Sequence, residues 1–102
     1  INSGGEKVYP EEVEACLKAH PAVFDAGVIG IDDARYGAKV VAVIQLREAS
    51  SAHAKELSEF CRGKLAAYKC PREWLFSDSI PRTPVGKPDY RTLKALAEQG
   101  LG

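Results

Sequence analysis

A lysine on a stiffened loop is the strongest candidate for chemistry in this sequence. Lys87 lies between Gly86 and Pro88, in a segment (residues 80–88) that contains three prolines and one glycine. Proline fixes its own φ and restricts the residue before it, and glycine removes side-chain bulk beside the lysine. Such a loop holds one ammonium group out from a rigid tip, where it is suited to stabilise negative charge. A solvated surface lysine is the ordinary alternative, and the spacing alone favours the functional interpretation only slightly.

The composition limits the class of protein. The chain has 102 residues, enough for one domain, and its 14 basic and 14 acidic residues cancel. A neutral chain gives no electrostatic argument for binding nucleic acid or a membrane surface. No apolar run approaches the ~20 residues that a membrane-spanning helix needs, and no signal peptide is expected.

The three cysteines indicate the redox environment. Cys16, Cys61 and Cys70 are an odd number without zinc-ligand spacing, so a metal site is not expected. Cys16 and Cys61 fall on the apolar faces of predicted helices, which favours buried thiols in a reducing, cytoplasmic compartment.

The hydrophobic periodicity predicts a compact α+β domain with a central three-stranded sheet flanked by helices, plus an N-terminal hairpin-like loop at the glycine pair. The first two strands are joined by a short turn and should be antiparallel, whereas the third follows a helical crossover and should be parallel to the second. Residues 40–44 are all apolar, so the second strand should be central and covered on both faces. The strands are predicted over residues 23–31, 38–46 and 74–76, and the helices over residues 10–20, from the caps Ser50 and Ser51 to Leu65, and from the cap Asp89 to Gly100.

Several charged side chains are predicted to be solvated surface. Glu14 is among them, and its spacing allows an ion pair with Lys18 on the same helix. Arg47, Glu48 and Lys55 have the same interpretation.

Two motifs carry a resemblance to a known family. Residues 81–94 read PRTPVGKPDYRTLK, which resembles the C-terminal signature of the adenylate-forming superfamily of acyl-CoA synthetases, peptide-synthetase adenylation domains and luciferases. Residues 2–14 read NSGGEKVYPEEVE, which resembles the segment just past the hinge between the two domains of those enzymes. The resemblance covers nearly the whole chain, with both motifs in the family's order and separation.

The resemblance implies a role for the candidate lysine. Lys87 matches the lysine that promotes joining of a carboxylate to the α-phosphate of ATP. Acyl-CoA synthetases are acetylated on this lysine, so the resemblance also implies that a lysine acetyltransferase acts on Lys87. Acetylation would remove the positive charge.

The resemblance implies a second set of residues for the thioester-forming half-reaction. Gly4, Gly5 and Glu6 match the segment that lines the pantetheine tunnel after the domain rotates, although a hairpin turn without a ligand also explains these positions. Tyr36 and Tyr68 match aromatic positions near the nucleotide end of CoA, and for both tyrosines a packing role is equally consistent. Cys70 stands where some relatives have a basic residue, and Lys69 is the expected substitute.

The resemblance also implies what the chain would need. Residues 1–102 match the mobile C-terminal domain alone, so the ATP site with its Mg²⁺ and the carboxylic acid pocket would belong to an N-terminal domain preceding this segment. The implied cofactors are ATP and CoA, the implied partner is that domain, and the fragment alone is expected to be inactive. The identity of the acid is outside what this sequence specifies.

Alternatives remain open from the sequence. One is the corresponding subdomain of a peptide-synthetase adenylation domain, which loads a carrier protein, although the GGEKVYP segment favours the CoA ligases. Another is a free-standing, non-catalytic module that binds CoA or a protein. A small nucleic-acid binder is disfavoured because the chain lacks a basic face with interleaved aromatic residues.

Overall fold

A computed structural model describes residues 1–101 of the chain. Its elements are β1 (Asn2–Ser3), β2 (Glu6–Lys7), α1 (Pro10–Lys18), β3 (Val23–Asp33), β4 (Gly37–Leu46), α2 (Ala54–Arg62), a 3₁₀ turn (Ala67–Lys69), β5 (Glu73–Phe76) and α3 (Tyr90–Leu101). The predicted α+β class is confirmed.

The main sheet has the predicted topology. Its strand order is β3-β4-β5, with β3 antiparallel and β5 parallel to the central β4. The β1–β2 hairpin forms a separate two-stranded sheet whose turn places Gly4 at φ 60° and Gly5 at φ 84°. Two successive residues with positive φ are the requirement of the tightest hairpin turns, which explains the glycine pair.

The sheet is covered on both faces, and β4 divides the core. Alternate β4 residues (Val40, Ala42 and Ile44) join α1 and α2 in one buried cluster, while Val41 and Val43 join α3 in a second. Side chains alternate between the two faces of a strand, so an unbroken apolar run requires cover on both sides. The expectation that residues 40–44 form a central strand is confirmed.

Two predicted helix boundaries are wrong. Helix α2 begins at Ala54 with His53 as its N-cap, not at Ser50 or Ser51. The chain is still turning there, because the Ser50 amide donates to the Arg47 carbonyl at 3.0 Å and Ala49 has φ 61°. The same helix ends at Arg62, before Leu65.

The ends of the other helices also differ from prediction. Helix α1 ends at Lys18 rather than His20, and α3 continues through Gly100 to Leu101. A Cβ at Gly100 would lie 3.0 Å from a Leu75 methyl group, so this glycine permits close packing of α3 on β5.

Candidate functional site

Lys87 lies at the tip of a small hairpin closed by backbone hydrogen bonds. The Thr83 amide donates to the Lys87 carbonyl at 2.8 Å, and the Gly86 amide donates back to the Thr83 carbonyl at 2.9 Å. Gly86 has φ 87°, the left-handed conformation that a glycine adopts at the end of a three-residue hairpin loop. The base of the hairpin is closed by the Asp89 amide, which donates to the Pro81 carbonyl at 2.8 Å.

The Lys87 side chain is exposed. Among residues 1–101 no carboxylate lies within salt-bridge distance of its ammonium group. Its neighbour Val85 is also open to solvent, with 81% of its surface accessible. The hairpin therefore presents one uncompensated positive charge away from the body of the domain.

An arginine connects this hairpin to the sheet. The Arg82 guanidinium donates through Nη1 to the Gly86 carbonyl at 2.7 Å, and through Nε and Nη2 to both carboxylate oxygens of Asp25 on β3. The hydrogen bond to Asp25 raises the pKa of Arg82 further above its ordinary value. We refer to this contact between Arg82, Asp25 and Gly86 as the Arg82 clasp. Our sequence interpretation did not select either charged partner.

The segment after the hairpin is fixed by the start of α3. Asp89 caps the helix by accepting a hydrogen bond from the Thr92 amide at 3.2 Å, as predicted from the sequence. Tyr90 donates its hydroxyl to the Glu14 carboxylate, 3.1 Å from one oxygen and 3.0 Å from the other.

Glu14 is buried, and its predicted surface position is wrong. Only 4% of its surface is accessible, and its carboxylate also accepts the Val28 amide at 2.9 Å. Burial raises the pKa of Glu14 above its ordinary value, while the hydrogen bonds from Val28 and Tyr90 act in the opposite direction. One carboxylate thus joins α1, the middle of β3 and the first residue of α3.

The second set of predicted residues meets at the opposite end of the sheet. The Gly4 amide donates to the Tyr36 carbonyl at 2.8 Å, so the β1–β2 turn lies against the β3–β4 turn. A Cβ at Gly4 would lie 3.8 Å from the Tyr36 ring. Gly5 and Glu6 are exposed in the same turn.

An arginine that our sequence interpretation did not select completes this group. The Arg72 guanidinium lies 4.0 Å from the centroid of the Tyr36 ring, and that of Arg35 lies 5.3 Å from it. Arg72 is placed there because its amide donates to the Val40 carbonyl at 2.8 Å, at the start of β5. The sequence contained one signal for Arg72: it lies two residues after Cys70, which stands where some relatives have a basic residue.

Tyr68 and Lys69 lie on the 3₁₀ turn before β5. Tyr68 is 38% exposed, whereas the Lys69 ammonium pairs with Glu12 at 3.0 Å. The hydrogen bond to Glu12 raises the pKa of Lys69. Cys70 is 7% exposed and directs its thiol to the Ala66 carbonyl at 3.7 Å. The structure therefore gives Lys69 a carboxylate partner, and the cations beside Tyr36 are Arg72 and Arg35, of which Arg72 is nearer.

The two groups of residues are far apart. The Arg82 clasp contacts β3 at Asp25, near the start of the strand, while Tyr36 follows Asp33 at its end. Those two aspartates are eight residues apart on one strand, and a strand rises about 3.4 Å per residue, so they are separated by roughly 27 Å. Lys87 and Tyr36 therefore lie toward opposite ends of the sheet.

Neither a metal site nor a membrane-spanning helix is found in the described part of the chain. Residues 1–101 contain no group of three or more His, Cys, Asp or Glu side chains arranged to hold a metal ion. None of the helices described has the length and apolar character needed to cross a bilayer. All three cysteines are free thiols, with Cys61 and Cys70 buried.

Comparisons with known proteins agree with this geometry. The family model described as "AMP-binding enzyme C-terminal domain" matches residues 12–87. The chain belongs to this family, and the resemblance stated from its two motifs is confirmed.

The curated relatives are acyl-CoA ligases. The chain is 56% identical over 98 residues to a medium/long-chain-fatty-acid–CoA/3-oxocholest-4-en-26-oate–CoA ligase of Mycobacterium tuberculosis, covering 96% of this chain and 18% of that protein. It is 57% identical over 94 residues to a 3-oxocholest-4-en-26-oate–CoA ligase of Rhodococcus rhodochrous, covering 92% and 17% respectively. The chain thus spans between a sixth and a fifth of the length of these relatives.

Solved structures share the fold. A Mycobacterium tuberculosis fatty acyl CoA synthetase superposes with a TM-score of 0.88 at 33% identity, over 98% of this chain and 20% of that chain. ATP-bound MatB from Rhodopseudomonas palustris superposes with a TM-score of 0.91 at 28% identity, over 100% and 20%.

Proposed function

We propose that this chain is the mobile C-terminal domain of an ATP-dependent acyl-CoA ligase and that Lys87 is its adenylation lysine. The observation that supports this most directly is the exposed ammonium at the tip of a closed hairpin, without a carboxylate partner in the described residues. The sequence identity of 56–57% to acyl-CoA ligases over nearly the whole chain supports the proposed reaction class, the ligation of an acid to CoA.

The proposed chemistry of the first half-reaction needs a fixed cation. A carboxylate oxygen attacks the α-phosphorus of ATP, the bond to the β,γ-diphosphate breaks, and pyrophosphate leaves. Negative charge gathers on the attacking and phosphoryl oxygens, and a positioned ammonium stabilises it without reorganising at the moment of reaction. Lysine suits this role because its charge is compact and stands on a long stem. Mg²⁺ and the remaining contacts to ATP would come from the N-terminal domain.

The second half-reaction would use the other end of the sheet. The thiol of CoA attacks the acyl carbon of the adenylate, and AMP leaves. Gly4 and Gly5, with no side chains, allow a narrow pantetheine arm to pass, and Glu6 borders the same turn. Tyr36 offers a ring for the adenine, and Arg72 offers a cation for a phosphate of CoA. Tyr68 and Lys69 would contribute only at the edge of this surface.

The separation of the two surfaces implies that the domain changes orientation between the two half-reactions. Asp25, on the Lys87 side of β3, and Asp33, on the Tyr36 side, are roughly 27 Å apart, so presenting first Lys87 and then Tyr36 to one adenylate requires rotation of the whole domain.

The test is Lys87→Ala in the full-length polypeptide that carries this domain. Acid-dependent exchange between ATP and pyrophosphate reports adenylation, and consumption of a supplied acyl-adenylate by CoA reports thioesterification. We expect adenylation to fall on the order of 100-fold or more, with thioesterification within a few fold of wild type. The matched control is Lys94→Ala, which removes an exposed lysine on α3 and should leave both activities unchanged. An equal loss in both half-reactions would contradict the assignment.

Three further features of the proposal extend beyond this domain. The acid is proposed to be large and apolar, since the relatives are named for fatty acids and a steroid-derived acid.

Acetylation of Lys87 by a lysine acetyltransferase would silence adenylation, and an acetylated enzyme that still adenylates would contradict this. The free thiols suit a reducing cytoplasm, and recovery of Cys61 from the native host as a disulfide would count against it.

A further inference from the structure

We propose that Arg82 is a positioning residue for adenylation, because the Arg82 clasp fixes where the hairpin carries the Lys87 ammonium. This inference rests on the proposed function of Lys87. It concerns a residue that would not touch substrate, since its donors are directed to groups of this domain.

The clasp forms a continuous set of hydrogen bonds from the sheet to the hairpin tip. The Asp25 carboxylate accepts the Ala26 amide at 2.9 Å, which orients it on β3. The same carboxylate accepts Nε of Arg82 at 3.1 Å, and Nη1 of Arg82 reaches the Gly86 carbonyl at 2.7 Å. Gly86 is joined directly to Lys87, so the orientation of the strand is transmitted to the residue that carries the charge.

Burial holds the base of the hairpin, at Ile80 and Pro88, but not its tip. The tip residues Pro84, Val85, Gly86 and Lys87 are all exposed, so apolar contacts do not hold them against the domain. The hydrogen bonds between Thr83 and Lys87 fix the shape of the hairpin, but they do not fix its direction relative to the sheet. Among the described residues, Arg82 is the side chain whose hydrogen bonds join the tip to β3.

The chemistry of the clasp requires an arginine. A guanidinium presents a planar fork that meets both oxygens of a carboxylate and still has a donor for a third acceptor. A lysine in its place is a point charge that keeps the attraction to Asp25 without the fixed geometry. The Asp25 side chain is only 13% exposed, so water competes weakly for its oxygens. Misplacing a catalytic group by about 1 Å costs on the order of 100-fold in rate, which makes such an anchor relevant to catalysis.

The experiment compares Arg82→Lys and Asp25→Asn with the control Glu56→Gln. The control alters a contact between the Glu56 carboxylate on α2 and Nε2 of His20, two residues after the end of α1, at 3.2 Å and away from the hairpin. In the full-length ligase, we expect both clasp variants to lose on the order of 10- to 100-fold in the rate of adenylation, with thioesterification of supplied adenylate within threefold of wild type. The control should leave both half-reactions within twofold.

Amide hydrogen exchange separates a positioning effect from a folding defect. In the clasp variants, the amides of Thr83 and Gly86 should exchange faster, while amides of β4 and α3 stay as protected as in wild type. Adenylation within threefold of wild type, or an equal loss in both half-reactions, would overturn the inference. If Lys87→Ala leaves adenylation intact, the proposed function itself fails. If Lys87→Ala abolishes it and the clasp variants do not, only the role of Arg82 fails.

Discussion

Replacing Glu14 with alanine should destabilise the domain far more than replacing any neighbouring acidic residue of α1. The variant removes the acceptor for two donors that belong to different elements, the Val28 amide of β3 and the Tyr90 hydroxyl of α3. The Val28 amide is buried under the helix and the Tyr90 hydroxyl is partly buried beside it, while Glu14 itself is only 4% exposed.

The magnitude follows from those two hydrogen bonds. A buried donor left without a partner costs about 1–3 kcal/mol, and part of this is offset because a desolvated carboxylate is removed with them. We therefore expect a net loss of roughly 2–4 kcal/mol in the free energy of unfolding. For a domain of this size, that corresponds to a fall of about 10–25 °C in Tm.

Urea denaturation and calorimetry would measure the loss, with Glu11→Ala as the control. Glu11 is exposed in the first turn of the same helix, so its removal should cost at most about 1 kcal/mol through the helix dipole. Tyr90→Phe should reproduce only part of the Glu14→Ala effect, since the Val28 amide keeps its acceptor. A Glu14→Ala variant as stable as the Glu11→Ala control would refute the reasoning.

The pH dependence provides an independent check on the same carboxylate. Burial raises the pKa of Glu14 in the folded state above its ordinary value of 4.5, so the folded protein holds this proton more tightly than the unfolded chain. The stabilisation associated with that proton is complete below pH 4.5 and is lost as the pH rises through the folded-state pKa. The stability difference between wild type and Glu14→Gln should therefore fall across that interval and be flat above it.

Two further predictions concern packing and thiol chemistry. Gly27→Ala would bring a Cβ into steric overlap with a Leu93 methyl group, so urea denaturation should show a loss of about 1–3 kcal/mol. Combining it with Leu93→Ala should cost less than the sum of the two single variants, and strict additivity would contradict a steric conflict. Cys61 is fully buried, and burial raises its thiol pKa to about 12, so a thiol-specific reagent should label the half-exposed Cys16 well before Cys61. Equal labelling rates in the native protein would show that the cysteine environment is wrongly described.

Local patterns accounted for most of the fold. The apolar run at residues 40–44 predicted a strand covered on both faces, the glycine pair predicted the first hairpin, and Asp89 predicted the start of α3. Each of these depends on residues that are close in sequence. Ser50 and Ser51 were chosen by the same logic, but the Arg47–Ser50 turn delays the helix, and nothing in the capping preference records that turn.

The contacts that order the candidate site depend on residues far apart in the chain. Asp25 and Arg82 are 57 residues apart, and Glu14 and Tyr90 are 76 apart. By spacing alone, Glu14 has the pattern of a surface residue able to pair with Lys18. Only the approach of β3 and α3 makes it a buried acceptor, so its role required the tertiary structure.

The hydrogen bond between the Val28 amide and the Glu14 carboxylate also affects the open side of β3. In the described sheet, β3 is an outer strand of eleven residues paired on one side only, with β4. A strand of that length with free amides along its open side is a template for adding another chain and building intermolecular sheets. The Glu14 carboxylate accepts the amide of Val28, midway along that side. This amide is therefore not available to pair with a strand added from another chain.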